Sequence, residues 1–482
     1  MKDNVELVVV GAGPAGLEAA ITASQAGMDV VLIDTSPKLG GQYFKQVPES
    51  FQSDDRTGNQ AKANKLFQRL RSSTVKVFHN TLVWGIFEGS TPGTWCLTLY
   101  GPGVPERINA RAVILATGAF DRSIPFPGWD LPGVITAGAA LTMIKSQRIL
   151  PGKRVILSGT GPLLLEAAAL LIEGGAEVVG VCESAANLIW RGIPYLPAVW
   201  GQWGRLREGL GYIKTLAGAR VPYRLGSAVT SARGEDRVNE VTMAKLDRNK
   251  KPIPQSEVRQ AVDTVVIGYN LTPSTELCRQ LECELEFDGG RGGFIPRRNE
   301  RMETSCPGIY AVGDCAGIGG AEMARIEGRI AGYAAAGKLG HMPEQSVLRG
   351  ISREEPGLRH EQRFAELLGD LFSPPAALYT LAGPDTIICR CEQVTLGQIR
   401  EAISYGAQSV SDVKNMVRSG MGNCQGRTCG SIVAHILAVQ TGRSLEDVRY
   451  LNIRPPVHPV PINVVEEHQQ GLRNLEQGMA RE

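Results

Sequence analysis

Several features that would assign this chain to a class at once are scarce or missing. Aromatic residues make up only 6% of its 482 residues, and the formal net charge is only +2. Because charges of both signs are interspersed, nucleic acid is not an expected partner. No apolar run approaches the ~20 residues of a transmembrane helix, so we expect no integral membrane segment. An apolar strand starts almost at the N-terminus, so we expect no secretion signal and favour a cytoplasmic protein. The length predicts about three domains.

Motifs of several enzyme classes are missing as well. The sequence has no G-x-S-x-G motif and no Walker A motif, and its histidines lack metal-ligand spacing. Six cysteines form no C-x2-C pair, which argues against a disulfide reductase and predicts core or loop thiols: Cys96, Cys182, Cys278, Cys283, Cys306 and Cys315. The other four cysteines cluster near the C-terminus, which suggests a metal site.

A strand–turn–helix–strand unit stands at the N-terminus. Val5–Val10 is an uninterrupted apolar run, as expected for a strand buried on both faces, and the glycine-rich turn Gly11–Gly16 follows it. The first glycine allows a tight turn, the second lets a pyrophosphate approach the backbone, and the third lets the helix pack close to the strand. The helix N-terminus offers N–H groups to phosphates, and the acid after the next strand binds ribose hydroxyls. The unit predicts dinucleotide binding by Gly11, Gly13, Pro14, Ala15, Gly16 and Asp34.

A second unit of this kind follows, with departures from the pattern. Its turn carries Gly159 and Gly161, and Glu183 stands near the end of its second strand. Leu164 takes the third glycine position, and its side chain is expected to push the helix away from the turn. No basic residue beside Glu183 is suited to a 2′-phosphate. A functional NADH site, an adenine nucleotide (ATP or NAD) without a redox role, and an empty fold all stay open, and we favour the last two.

The C-terminal cysteines form two close pairs, Cys389-x-Cys391 and Cys424-x4-Cys429. Paired thiols bind metal ions or iron–sulfur clusters. Zinc ribbons use two C-x2-C pairs and plant-type ferredoxins use C-x4-C-x2-C, so the spacing fits neither. Thr395 is a suitable N-cap for a helix over residues 396–405, which predicts a compact helical unit. A 2Fe–2S cluster, a zinc ion and unliganded thiols are the alternatives.

Three further motifs are similar to those of flavoproteins with two dinucleotide-binding domains, a family that includes thioredoxin reductase and ferredoxin reductases. They are a Gly-Gly-Gln loop at 40–42, the segment Ala116–Ala119 after a strand, and a strand that ends in Gly-Asp at Asp314. The resemblance implies that a helix from about Gly320 to Gly337 aims its N-terminus at the isoalloxazine ring. It implies FAD contacts at Gly41, Gln42, Val83, Thr117, Gly118, Gly313 and Asp314.

The cysteine unit resembles the small helical 2Fe–2S domain of bacterioferritin-associated ferredoxin. That domain has C-x-C followed by C-x2-C, and the C-x4-C of this sequence resembles the variant fused to flavoprotein subunits of amine and opine dehydrogenases. The resemblance implies cluster ligation by Cys389, Cys391, Cys424 and Cys429. Glycines around the second pair leave N–H groups free to bond the cluster sulfurs.

The whole combination is similar to the α subunits of heteromeric bacterial amine dehydrogenases, which include opine oxidase, D-hydroxyproline or proline dehydrogenase, and hydrogen cyanide synthase. The resemblance implies an α/β fold in which a Rossmann-like FAD domain carries an inserted second nucleotide-binding domain, followed by a small helical 2Fe–2S domain. The implied boundaries are 1–123 and 269–340 for the FAD domain, 124–268 for the second NAD(P)-type domain, 341–384 for a linker, 385–445 for the 2Fe–2S domain and 446–482 for a C-terminal tail.

The resemblance also implies a function and partners. A separate FAD-containing β subunit of the amino-acid-oxidase type would oxidise the amine, and this chain would pass the electrons through FAD and 2Fe–2S to a respiratory acceptor. An FMN at the subunit junction, a small third subunit, and peripheral association with the inner membrane through the acceptor belong to the same expectation. No catalytic residue is assigned, because the substrate pocket is expected on the partner. The alternatives are an NAD(P)H-dependent FAD reductase that feeds a ferredoxin-like acceptor, and an iron-handling or redox-sensing module.

Aromatic residues are concentrated in one segment of the second domain, which we expect to be a loop: Trp190, Tyr195, Trp200 and Trp203. Clustered aromatic side chains either contact a partner or cap the core of their own domain. Both interpretations stay open.

Overall fold

The computed structural model describes residues 4–46, 59–448, 450–467 and 469. The two larger domains each contain a sheet of mainly parallel strands. In each sheet a glycine-rich turn follows the first strand of a βαβ unit. A small helical unit with the C-terminal cysteines follows them in the chain. The α/β class expected from the sequence is confirmed.

The first half of the first domain forms a mixed sheet. Its elements are β1 (Asn4–Val10), α1 (Pro14–Gln25), β2 (Val30–Ile33), α2 (Asn59–Arg71), β3 (Lys76–Phe78), β4 (Leu82–Glu88), β5 (Trp95–Tyr100), β6 (Arg107–Leu115) and β7 (Ala119–Asp121). The strand order is β3-β2-β1-β6-β5-β4, with β1, β2, β3 and β6 parallel. Apolar residues fill β1 because the sheet is covered on both faces.

The inserted domain has a fully parallel five-stranded sheet with the order β11-β10-β9-β15-β8. A separate antiparallel sheet, β12-β13-β14, packs beside it. The elements are β8 (Val134–Thr136), α3 (Ala137–Thr142), β9 (Arg154–Thr160), α4 (Pro162–Glu173), β10 (Glu177–Glu183), α5 (Leu188–Gly192), α6 (Leu196–Val199), α7 (Trp203–Gly218), β11 (Tyr223–Leu225), β12 (Ser227–Arg233), β13 (Glu240–Lys245), β14 (Val258–Ala261) and β15 (Thr264–Tyr269).

The chain then returns to the first domain. The returning elements are β16 (Leu271–Pro273), α8 (Glu276–Gln280), β17 (Leu285–Asp288), β18 (Gly293–Pro296), β19 (Ile309–Ala311) and α9 (Ala321–Lys338). β19 adds to β6 in parallel, and β16 pairs with β7, so the outgoing and returning segments meet. Helices α9 and α1 lie in close contact, since a methyl group added at Gly328 would lie 2.2 Å from the carbonyl oxygen of Ala15. The helix expected from about Gly320 to Gly337 is present as α9, with each end shifted by one residue.

Residues 341–384, which were expected to form a linker, contain the long helix α10 (Glu344–Leu371). One side of α10 packs on α9 and buries Val347, Ile351 and Leu358 in the core of the first domain. The spacing of these residues by four and seven positions gives an apolar stripe on an otherwise polar helix. The C-terminal end of the segment contacts the inserted domain. The segment therefore connects the two larger domains.

The cysteine unit is built from β20 (Ile387–Cys389), β21 (Val394–Thr395), α11 (Leu396–Ser404), α12 (Val410–Val417) and α13 (Cys429–Thr441). The predicted N-cap is confirmed: the Thr395 hydroxyl oxygen accepts a hydrogen bond from the Gln398 N–H, and the Thr395 N–H donates to Oε1 of the Gln398 side chain. Its core is continuous with that of the inserted domain. The indole N–H of Trp129 donates to the carbonyl oxygen of Ile387 at 2.6 Å.

The described part of the tail runs back along the first domain. Val457 is buried and its N–H donates to the carbonyl oxygen of Trp84 at 2.8 Å. The expected tail extends to residue 482, and residues 470–482 lie outside the described part of the chain. No helix among the described residues combines the length and the apolar character needed to cross a membrane.

Candidate functional site: two cofactor centres

The turn after β1 has the geometry of a phosphate-binding loop. Gly11 has φ +104°, and a methyl group there would lie 2.3 Å from the carbonyl oxygen of Ala116. A methyl group at Gly16 would lie 1.8 Å from the carbonyl oxygen of Gly11, so α1 packs directly on the turn. Gly13 differs from both, because no protein atom lies within 4 Å of the position of an added methyl group. The free space is therefore at the glycine that a pyrophosphate approaches.

The acid after β2 holds this loop in place. Asp34 accepts hydrogen bonds from the N–H of Ala12 at 2.5 Å and from the N–H of Ser36 at 2.7 Å. The Gly-Gly-Gln loop lies against the same turn, since Gly41 has φ +60° and a methyl group there would lie 2.9 Å from the α-carbon of Gly13. The two predicted loops thus meet at one place.

Gln42 is exposed and accepts a hydrogen bond from the Lys45 ammonium at 3.0 Å. The same ammonium donates to the hydroxyl of Thr142 in α3 at 3.0 Å, and burial lowers the pKa of Lys45. The Lys45 ammonium therefore bridges the two domains beside the Gly-Gly-Gln loop.

Val83 is buried in β4, and the residues just before it lie next to Asp34. The N–H of Thr81 donates to the carbonyl oxygen of Asp34 at 2.9 Å. Val83 is thus close in sequence to a segment that contacts Asp34, and its contact with adenine stays a prediction.

Thr117 and Gly118 join the outgoing segment to the returning one. The Thr117 hydroxyl donates to the carbonyl oxygen of Ser274 at 2.8 Å, and the Ser274 N–H donates to the carbonyl oxygen of Gly118 at 2.9 Å. Gly118 has φ +72° and, like Gly13, has no atom within 4 Å of an added methyl group. Gly118 therefore also has space beside it for a ligand.

The Gly-Asp segment lies before α9. Asp314 accepts bonds from the N–H groups of Gly319 at 3.2 Å and Gly320 at 3.3 Å, and burial raises the pKa of its carboxyl. Gly313 has φ +70° and its N–H donates to Glu327 at 2.7 Å. Asp314 thus stands at the N-terminus of α9, as the flavoprotein resemblance implies.

Sequence reasoning missed the charged residues that support this segment. Glu327 is fully buried in α9 and forms a bidentate ion pair with Arg298. Arg291 donates to the carbonyl oxygen of Ala316 at 3.1 Å, and its buried Nε has no hydrogen-bond partner among the described residues. A glutamate inside a helix gives no distinct signal in the sequence. The ion-pair partner of Glu327 is Arg298, which lies in a different part of the chain, so local spacing does not reveal the pair.

The turn of the inserted domain is closed by the protein's own groups. Gly159 repeats the close approach of Gly11 to the neighbouring strand, since a methyl group there would lie 1.9 Å from the carbonyl oxygen of Gly268. The Gly161 N–H is bonded to Glu183 at 2.9 Å, and burial raises the pKa of this carboxyl. The side chain of Phe372, just after α10, lies 3.6 Å from the position of a methyl group at Gly161. Phe372 therefore lies on the side of Gly161 that a pyrophosphate would approach.

The four C-terminal cysteines lie together around a glycine-rich loop. The Gly420 N–H donates to Cys389 Sγ at 3.5 Å, and a methyl group at Gly422 would lie 2.3 Å from Cys391 Cβ. A hydrogen bond from the Cys429 thiol lowers the pKa of Cys389 to about 6 and that of Cys424 to about 4. The glycines allow the loop to lie against the thiols, and thiolates are the form that binds iron.

No three ligating side chains among the described residues converge on a point that suits a single metal ion. A 2Fe–2S cluster makes a different demand, because two thiolates bind each of its two irons. The cysteine unit fits that donor set, with Cys389 and Cys391 from one pair and Cys424 and Cys429 from the other.

The other six cysteines are free, and three of them form a group outside both centres. Cys283 and Cys306 have their sulfur atoms 3.4 Å apart, and Cys278 is adjacent to Cys283. Cys182, Cys278, Cys283 and Cys315 are buried, as expected for core thiols.

These centres define a flavoprotein with two dinucleotide folds and a C-terminal 2Fe–2S unit. Residues 5–340 match the family model of the pyridine nucleotide-disulphide oxidoreductases, and residues 387–439 match the BFD-like [2Fe-2S] binding domain. The chain belongs to the pyridine nucleotide-disulphide oxidoreductase family and carries a BFD-like domain. The matches indicate binding of FAD and of a 2Fe–2S cluster.

Known proteins with the same arrangement include subunits of amine-oxidising enzymes. An opine oxidase subunit of Agrobacterium tumefaciens (strain Ach5) is 32% identical over 473 residues, which cover 95% of this chain and 91% of the relative. Hydrogen cyanide synthase subunit HcnB of Pseudomonas protegens is 31% identical over 462 residues, with 95% and 96% covered. L-Proline dehydrogenase from P. horikoshii has the same fold, with a TM-score of 0.68 at 21% identity over 96% of this chain and 79% of that chain. The resemblance inferred from the motifs is confirmed.

Proposed function

We propose that this chain is the electron-transfer subunit of a heteromeric amine dehydrogenase. It accepts electrons from the FAD of a partner protein and passes them through its own FAD and 2Fe–2S cluster to a respiratory acceptor. One observation carries the proposal. The first turn is open at Gly13, whereas Glu183 and Phe372 contact the second turn at Gly161. The chain therefore keeps a flavin site and a cluster site, while its second dinucleotide fold lacks an open pyrophosphate face.

The residues of the first site have separate tasks. The N–H groups of the first turn of α1 would bind the pyrophosphate, and Asp34 fixes the turn that presents them. Asp314 would hold the ribityl or pyrophosphate region, and the N-terminus of α9 would offer its partial positive charge to the flavin. Bound FAD supplies the conversion between two-electron and one-electron transfer, and the protein supplies position and electrostatics.

We assign oxidation of the CH–NH substrate to the partner, an FAD protein of the amino-acid-oxidase type. The similar proteins of this length are named as subunits of opine oxidase or of hydrogen cyanide synthase, which supports a partner for this chain too. An opine, hydroxyproline, proline or glycine as substrate is compatible with such a partner, and a small third subunit belongs to the same proposal. The partner's pocket, rather than this chain, would decide among these substrates.

The partner has a suitable surface on the inserted domain. The aromatic segment is mainly helical, so the expectation of a loop is wrong for most of it: Trp190 lies in α5 and Trp203 begins α7, while Trp200 lies in the short link between α6 and α7. Trp190, Trp200 and Trp203 are 76%, 73% and 60% exposed, so they do not cap the core of their own domain. Tyr195 differs, because its hydroxyl bonds to Asp370 of α10. We propose the exposed tryptophans as a contact surface for the partner subunit, since large exposed aromatic side chains are typical interface anchors.

Two further cofactors remain proposals. An FMN at the junction with the partner would lie outside the FAD and cluster sites. An adenine nucleotide in the inserted domain requires Phe372 to leave Gly161, because the pyrophosphate approaches the turn on that side.

The experiment compares the purified chain with its complex with the partner. Flavin absorbance is followed after adding NADH, NADPH or an amine substrate. The proposal predicts flavin bleaching by the amine only when the partner is present, and none by either nicotinamide nucleotide. Rapid bleaching of the isolated chain by NADH would instead establish the alternative, an NAD(P)H-dependent reductase that feeds a ferredoxin-like acceptor.

A further inference from the structure

A line of hydrogen bonds leads from the flavin site to the short helix α8. It starts at Thr117, whose hydroxyl donates to the carbonyl oxygen of Ser274 at 2.8 Å. The Ser274 hydroxyl then donates to Oε2 of Glu276, the first residue of α8, at 2.8 Å. Because the Ser274 N–H also binds Gly118, this segment is tied to both residues that are expected to contact FAD at the domain crossing.

The line enters the cluster domain through a buried ion pair. Nε of Arg427 lies 3.1 Å from Oε1 of Glu276, and the two side chains are only 15% and 5% exposed. Nη1 of Arg427 donates to the carbonyl oxygen of Cys424 at 3.2 Å, and Nη2 donates to that of Val457 at 3.2 Å. The guanidinium therefore contacts the backbone of a cluster ligand on one side and the flavin-binding domain on the other. Its planar group of donors makes these bonds at fixed angles, which a lysine ammonium does not.

We propose that Glu276 and Arg427 are positioning residues for electron transfer between FAD and the 2Fe–2S cluster. They hold the loop of Cys424 against the segment that binds the flavin, and they place a compensated charge pair beside the cluster. This inference rests on the proposed function. Each passage moves one electron from reduced flavin to a ferric iron. Two passages, with loss of the flavin's protons to solvent, return FAD to its oxidised form while an external one-electron acceptor reoxidises the cluster between them.

The two members of the pair have opposite electrostatic effects on the cluster. A positive charge near a cluster stabilises its reduced form, which carries one more negative charge, and a nearby carboxylate does the reverse. Removal of the Arg427 charge therefore lowers the reduction potential of the cluster, and removal of the Glu276 charge raises it. A general loosening of the cluster loop would shift the potential in the same direction in both variants, so opposite shifts identify the effect of the two charges.

The test uses the full chain loaded with FAD and cluster, as wild type and as Arg427→Gln and Glu276→Gln. Arg443→Gln is the matched control, because Arg443 lies in the same domain beyond the C-terminal end of α13, about 20 Å from the ligand Cys429 that begins this helix. Its guanidinium donates to the carbonyl oxygen of Gln408 within the domain and does not bridge two domains. The midpoint potential of the cluster is measured by redox titration followed by electron paramagnetic resonance. The rate of electron exchange between flavin and cluster is measured after flash photoreduction.

We expect Arg427→Gln to lower the potential, Glu276→Gln to raise it, and both to slow exchange about tenfold, while Arg443→Gln changes neither quantity. Shifts of the same sign, unchanged rates, or an equal effect of Arg443→Gln would overturn the proposal. If Arg427→Gln does not bind the cluster, the test rests on Glu276→Gln alone. A wild-type potential and a wild-type rate in Glu276→Gln would then refute the proposal. The measurement needs no partner and no substrate, so its failure leaves the proposed function standing, whereas reduction by NADH would remove that function without changing this result.

Discussion

The side chain of Leu164 lies over Gly268. A methyl group added at Gly268 would be 3.5 Å from Cδ2 of Leu164. Leu164 belongs to α4 of the inserted domain, and Gly268 belongs to β15, which pairs with β9. In the first domain the same place is shared by Gly16 on the helix, which has no side chain, and by the methyl group of Ala116 just after β6. The leucine at the third glycine position is thus accommodated because the strand next to it has no side chain there, and it is fully buried.

This relationship predicts a coupled pair of substitutions. Leu164→Ala should lower the free energy of unfolding by about 2–5 kcal/mol because it leaves a cavity. Gly268→Ala should lower it by about 1–3 kcal/mol, since the new methyl group would lie 3.0 Å from Cβ of Ala137. In the double variant the methyl group occupies part of the cavity, so the loss should be smaller than the sum. Urea unfolding of the four proteins measures this, and strictly additive losses would contradict the packing described.

Much of the first site could be predicted from the sequence because its signals are local. Strand, turn, helix and acid follow each other in one short stretch, and the cap at Thr395 in the cysteine unit likewise follows from neighbouring residues. The helix from about Gly320 was implied by the resemblance to flavoproteins. The position of Phe372 beside Gly161 was not predictable, because Phe372 follows a helix far later in the chain, within the segment expected to be a linker.

Gly13 allows a test of the flavin site that does not depend on folding. Its φ of −73° suits alanine, and an added methyl group would meet no protein atom within 4 Å. Gly13→Ala should therefore leave the stability of the FAD-free protein within about 0.5 kcal/mol of wild type. The methyl group would lie where the pyrophosphate approaches, so FAD binding should weaken by about 1–3 kcal/mol, which is roughly fivefold to 140-fold.

The readout for Gly13→Ala is the dissociation constant of FAD, measured by fluorescence with the apoprotein. Gly204→Ala is the matched control, because Gly204 in α7 is equally open but distant in sequence from the flavin segments. Equal FAD affinity of Gly13→Ala and wild type would place the pyrophosphate elsewhere.

His435 predicts how the stability of the cluster domain depends on pH. Its ring stacks on Tyr379 with centroids 4.2 Å apart, and its Nδ1 lies 2.7 Å from the carbonyl oxygen of Ser431. Burial, with a smaller effect of the charge of Arg122, lowers the pKa of His435 to about 4. The unfolded chain takes up this proton near pH 6.5. Between pH 6.5 and about 4 the unfolded state therefore binds more protons, and the folded state loses stability as the pH falls.

For His435 alone the expected loss between pH 7.5 and 5.5 is at most about 1.4 kcal/mol. Denaturant unfolding of wild type and His435→Gln at both pH values measures it. The variant should be less stable at pH 7.5, since the stacked ring is lost, but its stability should fall less between the two values. An identical pH dependence of the two proteins would show that His435 is not held neutral in the folded state.

The exposed tryptophans predict where the partner subunit binds. Trp200 and Trp203 stack edge to face with ring centroids 5.4 Å apart, so they present one apolar surface at the start of α7. Trp200→Ser with Trp203→Ser should weaken association with the partner by about 2 kcal/mol or more, roughly thirtyfold in Kd. Because both side chains are more than half exposed, the free energy of unfolding should change little. Tyr405→Ser, at a 73% exposed residue of the cluster domain, is the control for loss of an exposed aromatic side chain. Binding is measured by isothermal titration of the purified partner into each variant, and wild-type affinity of the double tryptophan variant would exclude this surface as the interface.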